Sequence, residues 1–319
     1  MRIDYLRVSV TNKCNLRCIY CHPLGDFGFV EKQQVLTNQE LLRIVRLFTQ
    51  CGIKKVRLTG GEPLLRDDID ELVDGFSSID GIKDLSITTN GIFLGSLAAD
   101  LKAAGLQRVN ISIDTMDRAV YRQMTGHDLL PEVIKGIYKA IEVGLSPVKI
   151  NSVIVRGLNN SKEQIRALAG MSIRLPVAVR FVEYYPTDGK AKSTHNYVPN
   201  NEIREIIENE FGKLESTSIK IGYGPAVYFK IKDSAGAVGF ISGRSSMFCS
   251  ECNRLRLTSD GKIKPCLYSA HQYDLKELPR NGADDEEILR MLGEILRRKG
   301  SYTKSSSPIE EFSMQSIGG

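Results

Sequence analysis

The sequence predicts an α/β fold: an incomplete six-stranded (β/α)6 barrel, TIM-like, closed on its open side by a small C-terminal α+β domain. Three observations carry this. Six short apolar runs alternate with helical patterns over about the first 190 residues, the spacing of βα units on a parallel sheet. A closed barrel needs eight such units, and after Pro186 the chain turns polar and turn-rich instead. The remainder is small and glycine-rich, so it needs a core to share, and the open side of the barrel offers one. The expected division is 1–190 for the barrel and 191–319 for the second domain. A doubly wound sheet is the competing architecture, weakened because no G-x-G-x-x-G crosses the first βα turn.

In chain order, strands are expected at 5–10, 53–59, 85–89, 108–113, 148–155 and 177–184. Helical patterns fill 39–49, 67–76, 94–103, 130–143 and 161–169. Thr37 opens the first helix, with Glu40 completing a capping box, and Leu41, Leu42, Val45 and Phe48 form its apolar face. Residues 187–200 read as a linker, 199–211 as a helix and 226–232 as a strand. Gly236, Gly239 and Gly243 punctuate the next section, and 254–258 with 262–265 read as a hairpin.

The chain has 319 residues, 42 % hydrophobic and 25 % charged, ordinary for a protein with a sizeable core. No run of 18 apolar residues and no signal-peptide pattern is present, so no membrane partner is expected. Six of the seven cysteines fall in two local triplets. That is metal or cluster usage in a reducing, cytoplasmic setting and not a disulfide framework. Cys51, after the first helix, reads as a packed thiol. The net charge of +5 decides little alone.

Cys14, Cys18 and Cys21 form a C-x3-C-x2-C triplet just past the first strand. Three thiolates so close in sequence suit three corners of a four-iron cluster, leaving one iron open. Zinc is the alternative; it wants four ligands, and His22 is cramped against Cys21. The second triplet, Cys249, Cys252 and Cys266, also lacks a fourth cysteine nearby. A second open-iron cluster on the C-terminal domain, facing the first across the barrel mouth, is the stronger reading; a zinc recruiting His271 is the other.

Thr59-Gly60-Gly61-Glu62-Pro63 follows the second strand. Its glycines let backbone approach a ligand, and Glu62 offers a carboxylate to an ammonium group. Thr88 and Ser112, at the ends of the third and fourth strands, stand where ribose or carboxylate contacts are made. Asn90 and Asp114 orient loops. Arg7, Lys55, Arg57 and Lys149 sit within apolar strands on one parity. A cation there is costly unless it meets an anion, so these side chains predict a polyphosphate pocket. Arg254 and Arg256 alternate onto one face beside the second triplet. No Walker A sequence accompanies them, so phosphate hydrolysis is not indicated.

The first triplet, with Tyr20 before its last cysteine, resembles the signature of the radical S-adenosylmethionine enzymes. Residues 14–21, 59–63, 148–151, 183–189 and 248–258, with the terminal Ile317-Gly318-Gly319, resemble the GTP 3′,8-cyclase family among them, from end to end of the chain. The loop His22 to Phe29 departs from that family's usual pattern.

The resemblance implies two [4Fe-4S] clusters, on Cys14, Cys18 and Cys21 and on Cys249, Cys252 and Cys266. It implies S-adenosyl-L-methionine against Tyr20, Gly61, Glu62, Thr88 and Ser112. GTP would meet Arg7, Lys55, Arg57 and Lys149, with Arg254 and Arg256 near the second cluster. No side chain is catalytic beyond the clusters, though the tail Gly318 and Gly319 would assist. The implied reaction takes hydrogen from the ribose C3′ of GTP and joins that carbon to C8 of guanine, as a step of molybdenum cofactor biosynthesis. An external one-electron reductant and a downstream cyclic pyranopterin monophosphate synthase are the implied partners, and a homodimer is compatible. A zinc-containing nucleic-acid-binding protein is the rival reading; it is set aside because the basic residues lie on core strands and not on an exposed stripe.

Overall fold

The computed structural model describes residues 3–21, 35–185, 196–217, 221–246, 249–267, 269 and 271–302. The six expected strands are β1 (Tyr5–Ser9), β2 (Lys55–Thr59), β3 (Asp84–Thr89), β4 (Arg108–Ser112), β5 (Val148–Ile154) and β6 (Val177–Glu183). Each pairs parallel with the next. The crossovers are α1 (Asn38–Gln50), α2 (Ile69–Ser77), α3 (Leu94–Ala103), α4 (Arg118–Thr125), α5 (Leu130–Glu142) and α6 (Lys162–Arg174). The Thr37–Glu40 capping box forms at the start of α1.

Strand alternation divides the sheet cleanly. Leu6, Val8, Val56, Leu58, Ile87 and Ile111 point outward into the main core, where the helices cover them. The inner face carries the other parity, and it is polar and cationic.

α4 was not expected from periodicity. Asp117 caps it by accepting from the Val120 N–H, and Gly126 closes it in the left-handed conformation. At eight residues its apolar face is only Tyr121 and Met124, too short a pattern to stand out.

The C-terminal part contains α7 (Asn200–Phe211), β7 (Glu215–Ser216), β8 (Val227–Lys230), β9 (Ala237–Ile241), β10 (Arg254–Leu257), β11 (Lys262–Lys264), β12 (Tyr273–Asp274), α8 (Glu277–Arg280) and α9 (Asp285–Arg298). It shares its core with the barrel, as expected, since Ile203, Val238, Leu255, Ile288 and Leu292 belong to the same hydrophobic cluster as β1 to β6.

The way it does so was not expected. β9 adds parallel beside β6, and β10 adds parallel beside β1. The sheet therefore runs β12-β11-β10-β1-β2-β3-β4-β5-β6-β9-β8-β7. Both edges of the six-stranded barrel are lengthened by one continuous hydrogen-bonded sheet. Periodicity overlooked β9 because its glycines read as turn punctuation. They are there for close packing: a Cβ on Gly236 would lie 2.0 Å from the Val177 carbonyl oxygen, and one on Gly239 2.8 Å from the Tyr228 ring. No described helix is long and apolar enough to cross a membrane.

Candidate active site

The first cysteine triplet lies on the loop leaving the C-terminal end of β1, braced from three directions. The Arg17 N–H donates to the Thr125 carbonyl (2.8 Å) and the Ile19 N–H to that of Met124 (3.0 Å), both at the end of α4. Asn90, past β3, donates to Asn15 at 2.8 Å. The Tyr20 hydroxyl donates to Asp114 Oδ2 at 2.6 Å, past β4. Tyr20 thus enters the site through Asp114. That buried carboxylate is pushed up to about 6 by burial, against the Tyr20 bond and the Val153 N–H. Burial also raises the Cys18 thiol, and Asp114, Cys21 and Cys14 raise it further.

Gly60 and Gly61 approach backbone, and the nearest backbone is the cysteine loop itself. The Gly61 N–H donates to the Thr11 carbonyl at 2.8 Å and the Glu62 N–H to that of Lys13 at 2.7 Å. A Cβ on Gly61 would stand 2.2 Å from the Lys13 oxygen. Gly61→Ala is therefore expected to displace the cysteine loop and lower the iron held at the first triplet. Iron and sulfide analysis after anaerobic reconstitution checks this; normal loading would leave the glycine's contact with the loop without consequence.

Glu62 is built into the protein's own hydrogen-bond network. It is 1 % exposed, and its oxygens accept from Thr89 Oγ1 (2.7 Å), the Leu64 N–H (2.9 Å) and the Asn90 N–H (2.6 Å). Burial raises it to about 7 despite those bonds. With three protein donors already in place, the carboxylate ties the β2 turn to the end of β3. Thr88 and Ser112 do face inward, and Thr88 Oγ1 is buried without a hydrogen-bond partner.

The cations assemble as parity requires, and strand register aligns them. Arg256, Arg7, Arg57 and Ser86 are successive lateral partners across β10, β1, β2 and β3, and Ser86 in turn is opposite Arg108 on β4. Arg254, Tyr5, Lys55 and Asp84 form the row beneath. Lys149 faces in from β5, and Arg180, across from Asn151, faces in from β6.

Few carboxylates answer this charge. Asp84 clamps the Arg108 guanidinium through two hydrogen bonds, and Asp4 pairs with Lys55 at 2.7 Å. Burial lowers Arg57 to about 10. It lowers Lys149 to about 6, with Arg180, Arg108 and Arg57 adding repulsion. Lys149 is fully buried, and among the described residues its Nζ has no hydrogen-bond partner, nor do Arg108 Nη1 and Arg180 Nε. Arg108 and Arg180 were missed in the sequence although they share the parity of Lys149.

A segment between β7 and β8 closes on these cations. The Tyr223 ring lies 3.8 Å from Lys55 Nζ, and a Cβ on Gly222 would lie 2.0 Å from Lys149 Nζ. The Gly222 φ of +73° favours glycine, and any side chain there would have to push the Lys149 tip aside.

The second triplet is placed differently from expectation. Cys249 and Cys252 lead into β10, and Cys266 follows antiparallel β11. All three therefore lie by the N-terminal end of β1, opposite the end that carries the first triplet. The two do not share one mouth; β1 separates them by about 13 Å of strand, with the cation rows between. The Cys252 thiol is raised by burial, but Arg254 and Lys299 outweigh this and bring it below the ordinary thiol range.

Among the described residues, no three His, Cys, Asp or Glu side chains gather as ligands of a single metal ion. A four-iron cluster asks for a different arrangement, one thiolate on each of three irons. The loop after Cys21, residues 186–195 of the linker, and the tail with Gly318 and Gly319 lie outside the described residues.

Two family models match the chain: the Radical SAM superfamily over residues 8–169 and Molybdenum Cofactor Synthesis C over residues 177–305. The GTP 3′,8-cyclase of Pelotomaculum thermopropionicum is 43 % identical over 298 residues, covering 93 % of this chain and 91 % of that one. That of Thermodesulfovibrio yellowstonii is 40 % identical over 322 residues, covering 99 % and 98 %. The chain belongs to the GTP 3′,8-cyclase family. Human molybdenum cofactor biosynthesis protein 1 is 40 % identical over 93 % of this chain, which spans 46 % of that protein. Among solved structures, Streptococcus suis SuiB bound to S-adenosylmethionine superposes with a TM-score of 0.63 at 18 % identity, over 92 % of this chain and 68 % of that one. That likeness shows the partial radical-enzyme barrel with added C-terminal elements. Membership of the GTP 3′,8-cyclase family, through its radical S-adenosylmethionine domain, implies S-adenosylmethionine and at least one iron–sulfur cluster.

Proposed function

We infer that this chain is a GTP 3′,8-cyclase that converts GTP to (8S)-3′,8-cyclo-7,8-dihydroguanosine 5′-triphosphate for molybdenum cofactor biosynthesis. One observation carries the reading: among the described residues, an excess of buried cations, three of them with donor atoms left unpaired, lies between two cysteine triplets at opposite ends of β1. A buried cation without a partner is costly, and a triphosphate supplies the missing charge.

Cys14, Cys18 and Cys21 would hold a [4Fe-4S] cluster, and Cys249, Cys252 and Cys266 a second. With S-adenosylmethionine bound, the first cluster would supply the single electron that cleaves the sulfonium, so that methionine leaves and the hydrogen-abstracting 5′-deoxyadenosyl radical is released. Tyr20, Gly61, Thr88 and Ser112 would line the S-adenosylmethionine end, with Glu62 supporting it from behind. Arg254 and Arg256 would flank the guanine. Lys149, Arg57 and Arg7, joined by Arg108 and Arg180, would hold the phosphates and ribose, and Lys55 would contribute while paired to Asp4. Fixing both ends of GTP sets C3′ and C8 together, and positioning of that kind is the protein's main contribution. Residues 1–190 would carry the S-adenosylmethionine end and 191–319 the second cluster, with Gly318 and Gly319 assisting. A one-electron donor and a cyclic pyranopterin monophosphate synthase would act before and after.

The test is product analysis of reconstituted protein with GTP, S-adenosylmethionine and dithionite under anaerobic conditions. Cyclised nucleotide and 5′-deoxyadenosine are expected. Serine at Cys249, Cys252 and Cys266 should leave 5′-deoxyadenosine formation while cyclisation is lost. Normal cyclisation by that variant would remove the second triplet from the reaction.

A further inference from the structure

Lys299 opens the 3-10 turn Lys299–Ser301 that follows α9. It is 3 % exposed, an unusual place for a lysine. Its Nζ donates to Cys252 Sγ at 3.8 Å. Among the described residues no carboxylate pairs with it, so the sulfur is its polar partner. Its position is held firmly, because Ile288, Leu292 and Ile295 of α9 are fully buried in the main core.

We propose that Lys299 raises the reduction potential of the second iron–sulfur cluster by holding a buried positive charge on the Cys252 sulfur. The proposal rests on the second-cluster reading above. A cluster with three thiolate ligands carries net negative charge and gains another unit on reduction. An ammonium beside a ligand sulfur, away from water, stabilises the reduced form more than the oxidised one. Hydrogen bonds to the ligand sulfurs act in the same sense. Arg254, also close to Cys252, faces the inner cation rows. Lys299 approaches from α9 instead. It is a positioning residue, since nothing places it against the nucleotide.

The experiment isolates the second cluster by replacing Cys14, Cys18 and Cys21 with serine, and titrates it potentiometrically by electron paramagnetic resonance. Lys299→Met is expected to lower the midpoint potential, while Lys299→Arg keeps it near the parent value, with iron content equal in all three. The same pair in the two-cluster holoenzyme should shift one potential and leave the other. An unchanged potential in Lys299→Met overturns the proposal. So does an equal fall in the Met and Arg variants, since packing and not charge would then be responsible. Absence of iron from the parent before Lys299 is touched overturns the second-cluster reading itself, and this proposal with it.

Discussion

Lys149→Met is expected to cripple GTP binding while making the ligand-free protein more stable. The two effects have opposite signs because the residue is arranged for a ligand. Its Nζ is buried, without a hydrogen-bond partner among the described residues, beside Arg57, Arg108 and Arg180. Losing a charge-assisted contact costs about 1.5–3 kcal/mol, or about 10- to 150-fold in GTP affinity at 1.4 kcal/mol per tenfold. Replacing a buried charge by a packed apolar side chain typically gains about 1–4 kcal/mol of stability.

The pH dependence follows from the same group. Folded Lys149 titrates at about 6, and an unfolded lysine at about 10.4. Between those values the unfolded chain binds more protons, so wild-type stability rises with pH relative to the methionine variant. Below about pH 6 the folded side chain is charged and the penalty is complete. GTP binding near pH 8 should also draw a proton onto Lys149, giving a calorimetric heat that depends on the buffer's ionisation enthalpy. Equal stability of the two proteins across this range, with GTP affinity unchanged, would mean that the cation rows are structural only.

Cys18→Ser should abolish 5′-deoxyadenosine formation with or without GTP, and Cys14→Ser and Cys21→Ser should match it. The loss is expected to be complete, because each sulfur would hold a different iron of the proposed cluster. Stability should fall little, since the backbone bonds from Arg17 and Ile19 to α4 and the Tyr20–Asp114 bond do not involve the sulfurs. The measurement is 5′-deoxyadenosine by chromatography, beside a thermal melt. Near-normal S-adenosylmethionine cleavage by any of the three would remove the first triplet from the chemistry.

The barrel was legible because it rests on local rules. Strands β1 to β6 each bury an apolar face under helices, and the side-chain period of two by itself puts Arg7, Arg57 and Lys149 on the other face. The same rule would have placed Arg108 and Arg180; both were passed over although their strands were found. α9 was not expected either, although Asp284 at its cap and Ile288, Leu292 and Ile295 on one side obey the same local rules.

The sequence by itself determined the six βα units, the two cysteine triplets and the presence of inward cations, since each depends on residues close together in the chain. Only the tertiary structure decided how those pieces meet. That β10 joins β1 and β9 joins β6 is a pairing between distant segments, and no local pattern encodes it. This pairing puts the triplets at opposite ends of β1 and brings Arg256 level with Arg7 and Arg57. The spent carboxylate of Glu62 and the Tyr20–Asp114 bond are likewise products of long-range contact. Motifs specify which side chains are available; sheet register specifies which of them share a site.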